Sequence, residues 1–529
     1  MIAEVQLFVL LLIVIAAVAV LATRLNVPSS ILLVVAGVAL ALVPGLPTVR
    51  MSPAFVLLVV LPPIIYSSAV AMSWSEFCFS LRPITLLAFG CVVFTTVGVA
   101  AASHYLIGLP WQVGFVLGAI VSPPDPVAPM AIARRMQLPR RLVVILEGEG
   151  LANDATALIL YRFAVAAVGG ALFSLQRAVE MFTIIVIGEI LWGVAIGWLM
   201  LRLRRWVKDP SIEITLSVLT PFLAYWPPER FGGSGVLATV TAGLYISWNG
   251  LRLISAATRL QGIFFWGFLM YLIEGTVFLM TGLQARTLLA GVHNYTTREL
   301  ALSAAVIGAV VILTRFVWMF PATYLPRWLV PSIARRDPAP PWQYPTFLAY
   351  TGVRGIVSLA AALALPLTTD SGDPFPHRDL IHFLTFIIVV VTLVGQGLSL
   401  PFIIRMLGLE NAGALEQADE RAAENRVRRE AVTATLQRVD KLTADANLPE
   451  EAIIRARARH RDRLAQVESR DGDGKAAAQQ TSLDRTLIAA ERTMVNDEYR
   501  AGGLKDQARR RIEHELDLWE AQLDDPPDD

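Results

Sequence analysis

The segment LEGEGLANDATALILY, residues 146–161, lies within a mostly apolar run at positions 142–168. That run is long enough to cross a bilayer as a helix, at about 1.5 Å per residue against about 30 Å of hydrocarbon. The quoted segment adds to this run three carboxylates and an amide, which a membrane disfavours: Glu147, Glu149, Asp154 and Asn153. Asp154 lies roughly 18 Å along the helix, near the midplane, where a charge costs at least about 2.5–3.5 kcal/mol. We therefore interpret these groups as functional; the alternative is that the carboxylates only pair with arginines elsewhere in a helix bundle.

The composition divides the chain into two parts. Of its 529 residues, 55% are hydrophobic and the mean hydropathy is +0.55, which is typical of a polytopic membrane protein and excludes an ordinary soluble globule. From Asn411 onward 46 of 119 residues are charged, whereas the first 410 residues hold only 43. We expect a transmembrane domain at residues 1–410 and a helical cytoplasmic tail at residues 411–529. The tail is net acidic, which argues against nucleic-acid binding, and two cysteines with no Cys/His cluster predict neither a disulfide framework nor a metal cofactor.

Thirteen apolar segments bounded by polar residues, proline or glycine are predicted to span the membrane. They lie at residues 4–22, 29–45, 53–71, 83–107, 111–133, 142–168, 177–201, 212–226, 233–248, 262–285, 300–325, 345–366 and 380–405. The loops on one side carry fifteen Lys and Arg residues, and the loops on the other side carry six. The positive-inside rule then predicts a multi-pass protein of the cell (inner) membrane, with its N-terminus outside and its tail in the cytoplasm.

The fifth segment contains the sequence GAIVSPPDPVAPMA, residues 118–131, which cannot form an unbroken helix. Each proline removes a backbone donor and clashes with the preceding turn. Asp125 followed by Pro126 is a helix start signal, so we expect two half-helices that meet near Asp125. Non-helical backbone at this depth is tolerated only where it is buried in protein or lines a cavity. A simple capped proline kink is the alternative.

The twelfth segment contains YTGVRGIVSLA, residues 350–360, where Gly352 and Gly355 flank Arg354. The fifth and twelfth segments lie seven apart and therefore cross the membrane in opposite directions. Paired interrupted segments in matching positions indicate two inverted repeats with a transport site between them. A buried arginine needs an opposite charge, and Glu149 or Glu147 would supply it for Arg354.

Several motifs carry a family resemblance. The sequence EGEGLAND at residues 147–154 resembles the E-x-x-x-N-D signature of the monovalent cation:proton antiporters, in the sodium/proton exchanger branch. SPPD at 122–125, VTAGLY at 240–245, GVRG at 352–355 and QGLSLP at 396–401 support it in family order. The resemblance implies about thirteen helices, with a core domain of crossed broken helices and a second domain that forms a homodimer. It also implies that Asp154 binds the cation and the proton, that Asn153 and Asp125 support the site, and that Arg354 pairs with Glu149.

The chain departs from the family pattern at two positions. Many relatives have Ser where this chain has Gly150, and Thr where it has Pro124. Both hydroxyls can ligate a cation, so we expect backbone carbonyls or water to take their place. Ser122 and Gly150 could border the ion pathway. Glu274 could line the cytoplasmic approach or form a structural ion pair, and Arg315 and Arg162 are interpreted as structural ion-pair partners.

The motifs favour a secondary active antiporter that exchanges Na⁺, with K⁺ or Li⁺ as alternatives, for H⁺. One carboxylate that binds either ion, never both, couples the two fluxes without enzyme chemistry. An Asn-Asp pair provides one titrating group, which predicts electroneutral exchange. Two other classes stay open: an intramembrane aspartyl protease with Asp125 and Asp154 as its dyad, and a cation channel.

The tail shows helical patterning at residues 413–445, 482–500 and 504–522, with a new helix start near residue 449 and a linker at 470–475. It is interpreted either as a solvated appendage or as a regulatory module.

Overall fold

Helices account for nearly all regular structure in the computed structural model. The structure describes residues 2–44, 51–170, 175–207, 209–250, 254, 256–369, 372–445, 451, 453–461, 474–501 and 506–523. Within these ranges there is no β-strand, only an isolated bridge between Thr368 and Pro374. The prediction of an all-α polytopic membrane protein is confirmed. Two compact units are present, one ending at Asn411 and the other beginning at Ala412.

Eighteen described helices form the first unit. They are α1 (Ile2–Leu25), α2 (Ser29–Ala41), α3 (Pro53–Ala71), α4 (Trp74–Phe79), α5 (Leu81–Ile107), α6 (Trp111–Val121), α7 (Val127–Arg135), α8 (Arg140–Val168), α9 (Leu175–Arg204), α10 (Pro210–Arg230), α11 (Val236–Gly250), α12 (Ala256–Leu283), α13 (Ala285–Gly291), α14 (Thr297–Leu329), α15 (Pro331–Arg336), α16 (Gln343–Tyr350), α17 (Ile356–Leu363) and α18 (Arg378–Met406). Seven described helical stretches are long and apolar enough to cross a membrane. The number of crossings stays a prediction.

Two pairs of short helices flank the interruptions that the sequence predicts. α6 ends at Val121 and α7 begins at Val127, while α16 ends at Tyr350 and α17 begins at Ile356. Three prolines explain the first break, because they lie between the two helices and cannot donate helical hydrogen bonds. Both breaks lie inside the first unit, where other helices cover them.

The second unit consists of helical segments in the tail. α19 runs over Leu409–Asp445, residues 453–461 are helical, and α20 (Gly474–Arg500) is followed by α21 (Asp506–Leu523). Arg492 of α20 forms ion pairs with Asp517 and Glu520 of α21. The predicted helix start near residue 449 and most of the predicted linker at 470–475 lie outside the described residues.

Glycines allow α2 and α12 to approach to backbone contact. A Cβ atom built on Gly282 would lie 2.3 Å from the Val34 carbonyl oxygen, and one built on Gly37 would lie 2.3 Å from the Leu279 carbonyl oxygen. Real Cβ atoms cannot occupy either position without separating the helices. These two helices enclose a buried apolar cluster that includes Val34 and Leu279. The close packing therefore depends on the missing side chains.

We expect Gly282→Val to lower stability by more than the roughly 1–3 kcal/mol typical of overpacking, since backbone atoms cannot move aside as side chains do. Gly262→Val is the matched control on the same helix, because no atom lies within 4 Å of a Cβ built there. Thermal unfolding of the purified variants in detergent measures the difference. Equal melting temperatures for the two variants would contradict the proposed packing constraint.

Candidate ion-binding site

The two interrupted segments meet through their backbones. The amide of Asp125 donates a hydrogen bond of 2.7 Å to the carbonyl of Val353. The Asp125 carboxylate accepts from the amide of Val127 at 2.9 Å and interacts with the amide of Ile356. Asp125 thus caps the helices that begin after both breaks, although α7 begins one residue later than the predicted start. Gly355 makes this possible, because a Cβ atom there would lie 1.6 Å from Asp125 Oδ2.

Asn153 and Asp154 of α8 lie beside this crossing. Asn153 is fully buried and donates from Nδ2 to the carbonyl oxygen of Pro124 at 2.7 Å. Its Oδ1 atom is buried and has no hydrogen-bond partner among the described residues. Asp154 is half-buried, and no side chain or amide in the described ranges forms an ion pair or hydrogen bond with its carboxylate. One face of this carboxylate is therefore free to bind an ion.

A cavity of about 430 Å³ adjoins Asp154. Helices α3 and α12 line one side, and α8 with the two interrupted segments lines the other. Its polar lining residues include Asp125, Glu147, Asp154 and Glu274. Arg134 also lines the cavity and its side chain is 64% exposed, so the cavity reaches the protein surface at that end. An ion can therefore reach Asp154 from the Arg134 end.

Gly150 lines the cavity one turn before Asp154. A Cβ atom at this position would lie 2.3 Å from Cγ of Pro126. A serine cannot fit here unless Pro126 moves, so the proline fills the space that a hydroxyl would need. Pro124 contributes its carbonyl oxygen, which Asn153 already uses. Neither departure from the family pattern adds a side-chain oxygen to the site.

Glu149 is neutralised by Arg315, and the expected pairing with Arg354 is wrong. Arg315 of α14 donates from both terminal nitrogens to the two Glu149 oxygens, at 2.5 and 2.8 Å. Both side chains are almost completely buried, with 1% and 2% exposure. The remaining Nε–H donates to the carbonyl of Leu348 at 2.9 Å. This bidentate geometry gives each carboxylate oxygen one charge-assisted hydrogen bond and neutralises Glu149.

Arg354 is buried without an ion-pair partner in the described part of the chain. Its Nε and Nη1 atoms have no hydrogen-bond partner, and only its backbone amide is held, by Thr392 Oγ1 at 2.9 Å. The other expected partner, Glu147, instead binds Arg134 at 2.6 Å. The predicted structural role of Arg315 is confirmed, but its partner lies 166 positions away and no local pattern identifies it.

Of the two remaining residues that were predicted to border the ion pathway, one lines the cavity and the other does not. Glu274 of α12 lines the cavity, and no described cation lies within ion-pairing distance of it. Ser122 is buried, donates to the carbonyl of Ala119 at 3.2 Å and is not among the lining residues. The structure therefore brings Glu274 to the pathway and leaves Ser122 outside it.

The protein is closed on the opposite side of Asp154. Ala155 and Leu158 of α8 pack in a buried apolar cluster with residues of α3, α10 and α11. Arg162 lies eight residues beyond Asp154, about 12 Å along the helix, and forms an ion pair of 2.5 Å with Glu229 of α10. Arg162 is thus an ion-pair partner, as predicted. Along α8, the lining of the cavity extends from Glu147 to Asp154 and includes no residue beyond Asp154.

The sodium/hydrogen exchanger transmembrane family model matches residues 9–406. An Na⁺/H⁺ exchanger of Mycobacterium tuberculosis is 32% identical over 523 residues, covering 96% of this chain and 94% of that protein. A sodium, potassium, lithium and rubidium/H⁺ antiporter of Bacillus subtilis is 33% identical over 338 residues, covering 61% of this chain and 49% of that protein.

The fold is similar to that of a solved antiporter. The sodium proton antiporter MjNhaP1 of Methanocaldococcus jannaschii superposes with a TM-score of 0.62 at 18% identity, covering 77% of this chain and 98% of that one. Because the family and these relatives are transporters, the chain is not an enzyme, and the protease and channel alternatives are not favoured. The chain belongs to the sodium/hydrogen exchanger family.

Proposed function

We propose that this protein is a secondary antiporter that exchanges a monovalent cation, Na⁺ with K⁺ or Li⁺ as alternatives, for H⁺ at Asp154. The single observation that carries the proposal is the free Asp154 carboxylate at the inner end of a cavity that reaches the surface. Every other carboxylate of α8 is already neutralised: Glu147 by Arg134 and Glu149 by Arg315. Asp154 is therefore the one carboxylate of α8 that is left for two competing ions.

Oxygen atoms near Asp154 supply the remaining ligands of the proposed cation site. Hard cations prefer anionic and carbonyl oxygens. The candidates are the unpartnered Oδ1 of Asn153, the residue before Asp154, and the carboxylate of Asp125, which lines the same cavity, together with water. A hydroxyl at position 150 is absent, so the ligand set depends on the interrupted backbone and water. The chain's cation preference therefore need not follow that of relatives with a serine.

Electroneutral exchange follows from competition for one carboxylate. Asp154 binds either one H⁺ or one monovalent cation, so each cycle moves one positive charge in each direction. A loaded Asp154 has its charge compensated, and it crosses the low-dielectric barrier at lower cost than the bare anion. The empty, charged site does not cross the barrier, so the protein cannot return without an ion and has to exchange one ion for the other.

Alternating access requires the closed side to open. We infer that the present conformation faces the cytoplasm, because the cavity opens at the arginine-rich end of α7 and α8. The pair of Arg162 and Glu229 joins the helix that carries Asp154 to α10 and holds the outer side shut. The same orientation puts the N-terminus outside and the tail in the cytoplasm. The homodimer that the family resemblance implies is part of this proposal.

Asp154→Asn should abolish exchange while the protein stays folded and membrane-inserted. The amide has nearly the same shape and removes an unpartnered charge, but it cannot release a proton and is a poorer cation ligand. Proteoliposomes with an internal pH dye and an imposed Na⁺, K⁺ or Li⁺ gradient measure the exchange.

As a control for folding, Asp154→Asn should have the same size-exclusion elution volume and melting temperature as the wild type. Exchange by Asp154→Asn at the wild-type rate would contradict the proposed site. In the wild-type liposomes, a rate that changes when valinomycin clamps the membrane voltage would contradict electroneutrality.

Arg315→Ala should destabilise the protein by about 3–5 kcal/mol, because it leaves the buried Glu149 carboxylate unpaired. Arg354→Ala removes a buried charge that has no partner, so we expect a neutral or stabilising effect. Each variant removes one buried guanidinium, which makes the two a matched pair. Thermal unfolding in detergent distinguishes them; a larger loss for Arg354→Ala would mean that Glu149 depends on Arg354 instead.

A covalent link between positions 162 and 229 should stop exchange, because it prevents α8 and α10 from separating. The test uses Arg162→Cys/Glu229→Cys in a protein that also carries Cys78→Ser and Cys91→Ser. A bifunctional thiol reagent then cross-links the two introduced cysteines and holds α8 against α10. We expect exchange to fall to the liposome background. The two single-Cys variants under the same reagent are the controls, and full activity of the cross-linked double variant would exclude an opening at this point.

A further inference from the structure

Three arginines share one carboxylate at the end of the helices where the cavity opens. Asp337 lies after α15, and it forms ion pairs with three arginines from three helices: Arg82 of α5 at 2.5 Å, Arg141 of α8 at 2.6 Å and Arg327 of α14 at 2.8 Å. Within the described residues, no other carboxylate pairs with any of the three. Two positive charges are therefore left without a counter-charge.

The geometry leaves hydrogen-bond donors free on two of the three arginines. Arg327 is almost buried and uses its donors on Asp337 and on the Thr323 carbonyl. Arg82 and Arg141 each bond Asp337 through a single nitrogen, Nη2, and each side chain is 27% exposed. A guanidinium has five N–H groups, so most donors of these two residues are available for an outside acceptor.

Helix ends strengthen the positive potential at the same place. Arg82 lies in the first turn of α5, and Arg141 lies in the first turn of α8. A helix N-terminus carries a partial positive charge, which normally favours acidic residues there. Placing two arginines at two such ends raises the local potential, and one shared aspartate cannot balance it. An added anion would relieve this repulsion.

The surface next to the cluster is apolar. Phe79 is 54% exposed and lies under the Arg141 guanidinium, 5.7 Å from ring centroid to Cζ. Leu81 precedes Arg82 and is 48% exposed, and Trp328 follows Arg327 and is 79% exposed. Tryptophan at this level is typical of a membrane–water interface. A cationic rim beside exposed apolar side chains matches a phospholipid, with a phosphate at the arginines and acyl chains along the helices.

We propose that Arg82 and Arg141 bind the phosphate of an anionic phospholipid on the surface formed by α5, α8 and α14. Arginine suits this role because its planar fork can donate two parallel hydrogen bonds to phosphate oxygens. Free inorganic phosphate has the same chemistry, but it would gain nothing from the exposed Phe79 and Leu81. The bound lipid would stabilise the contact between the loop that carries Asp337 and three helices of the membrane unit.

The test uses the full-length protein in nanodiscs of phosphatidylcholine, with or without phosphatidylglycerol. Native mass spectrometry counts retained phosphatidylglycerol, and thermal unfolding reports stabilisation. We expect the wild type to retain phosphatidylglycerol and to melt higher with it. Arg82→Gln/Arg141→Gln should lose at least about tenfold in retained lipid, because the charge-assisted hydrogen bonds from both guanidiniums to the phosphate are removed.

Arg335→Gln/Arg336→Gln is the matched control, because it removes the same charge from two exposed arginines of α15 whose side chains form no ion pair with Asp337. If Arg82→Gln/Arg141→Gln does not fold, Arg82→Lys/Arg141→Lys is measured instead. This variant keeps the two charges but lacks the planar guanidinium, and it should retain less phosphatidylglycerol. Equal retention in the 82/141 variants and the wild type, or an equal loss in the control, would overturn the proposal. Stabilisation by inorganic phosphate alone would overturn the assignment to a lipid.

Discussion

An unwound backbone inside a membrane has to satisfy its own hydrogen bonds, and the structure depends on how this chain does so. The amide of Asp125 finds its acceptor on the other interrupted segment, at Val353, and the Asp125 side chain serves the helix starts on both sides. Without this mutual capping, each break would leave unpaired amides in a low-dielectric interior, at several kcal/mol each. The crossing therefore fixes where α7 and α17 begin, and it sets the position of the carbonyl oxygens around Asp154.

The balance of buried charges is the second constraint on this structure. The membrane unit buries the guanidiniums of Arg315 and Arg354 and pairs only the first of them with a carboxylate, that of Glu149, and it leaves Asp154 without a fixed partner. A permanent ion pair at Asp154 would hold it ionised and make proton binding costly. The separation of roles along α8 explains how one helix can carry three carboxylates and still use one for exchange. Glu149 serves the fold, and Glu147 lies at the mouth of the cavity beside Arg134.

Sequence patterns predicted the helical class, the two interruptions and the polar groups of α8, because each has a local cause. Prolines at residues 123, 124 and 126 cannot continue a helix, and acidic groups in an apolar run are costly wherever they lie. The partner of Glu149 could not be predicted in the same way. Arg354 lies in a recognisable motif and Arg315 does not, yet the long side chain of Arg315 extends from α14 to the Glu149 carboxylate on α8. Pairing across 166 positions is decided by tertiary packing, which no local periodicity encodes.

The contact between Gly150 and Pro126 couples a position on α8 with a position in the break before α7. Side-chain volume at one can increase only if it decreases at the other, since the gap between them does not admit a single Cβ atom. Related chains should therefore vary at these two positions together rather than independently. A change of cation selectivity that adds a hydroxyl at position 150, by evolution or by engineering, therefore requires a second replacement at position 126. A hydroxyl introduced at position 150 alone would push the interrupted segment away from the ion-binding site.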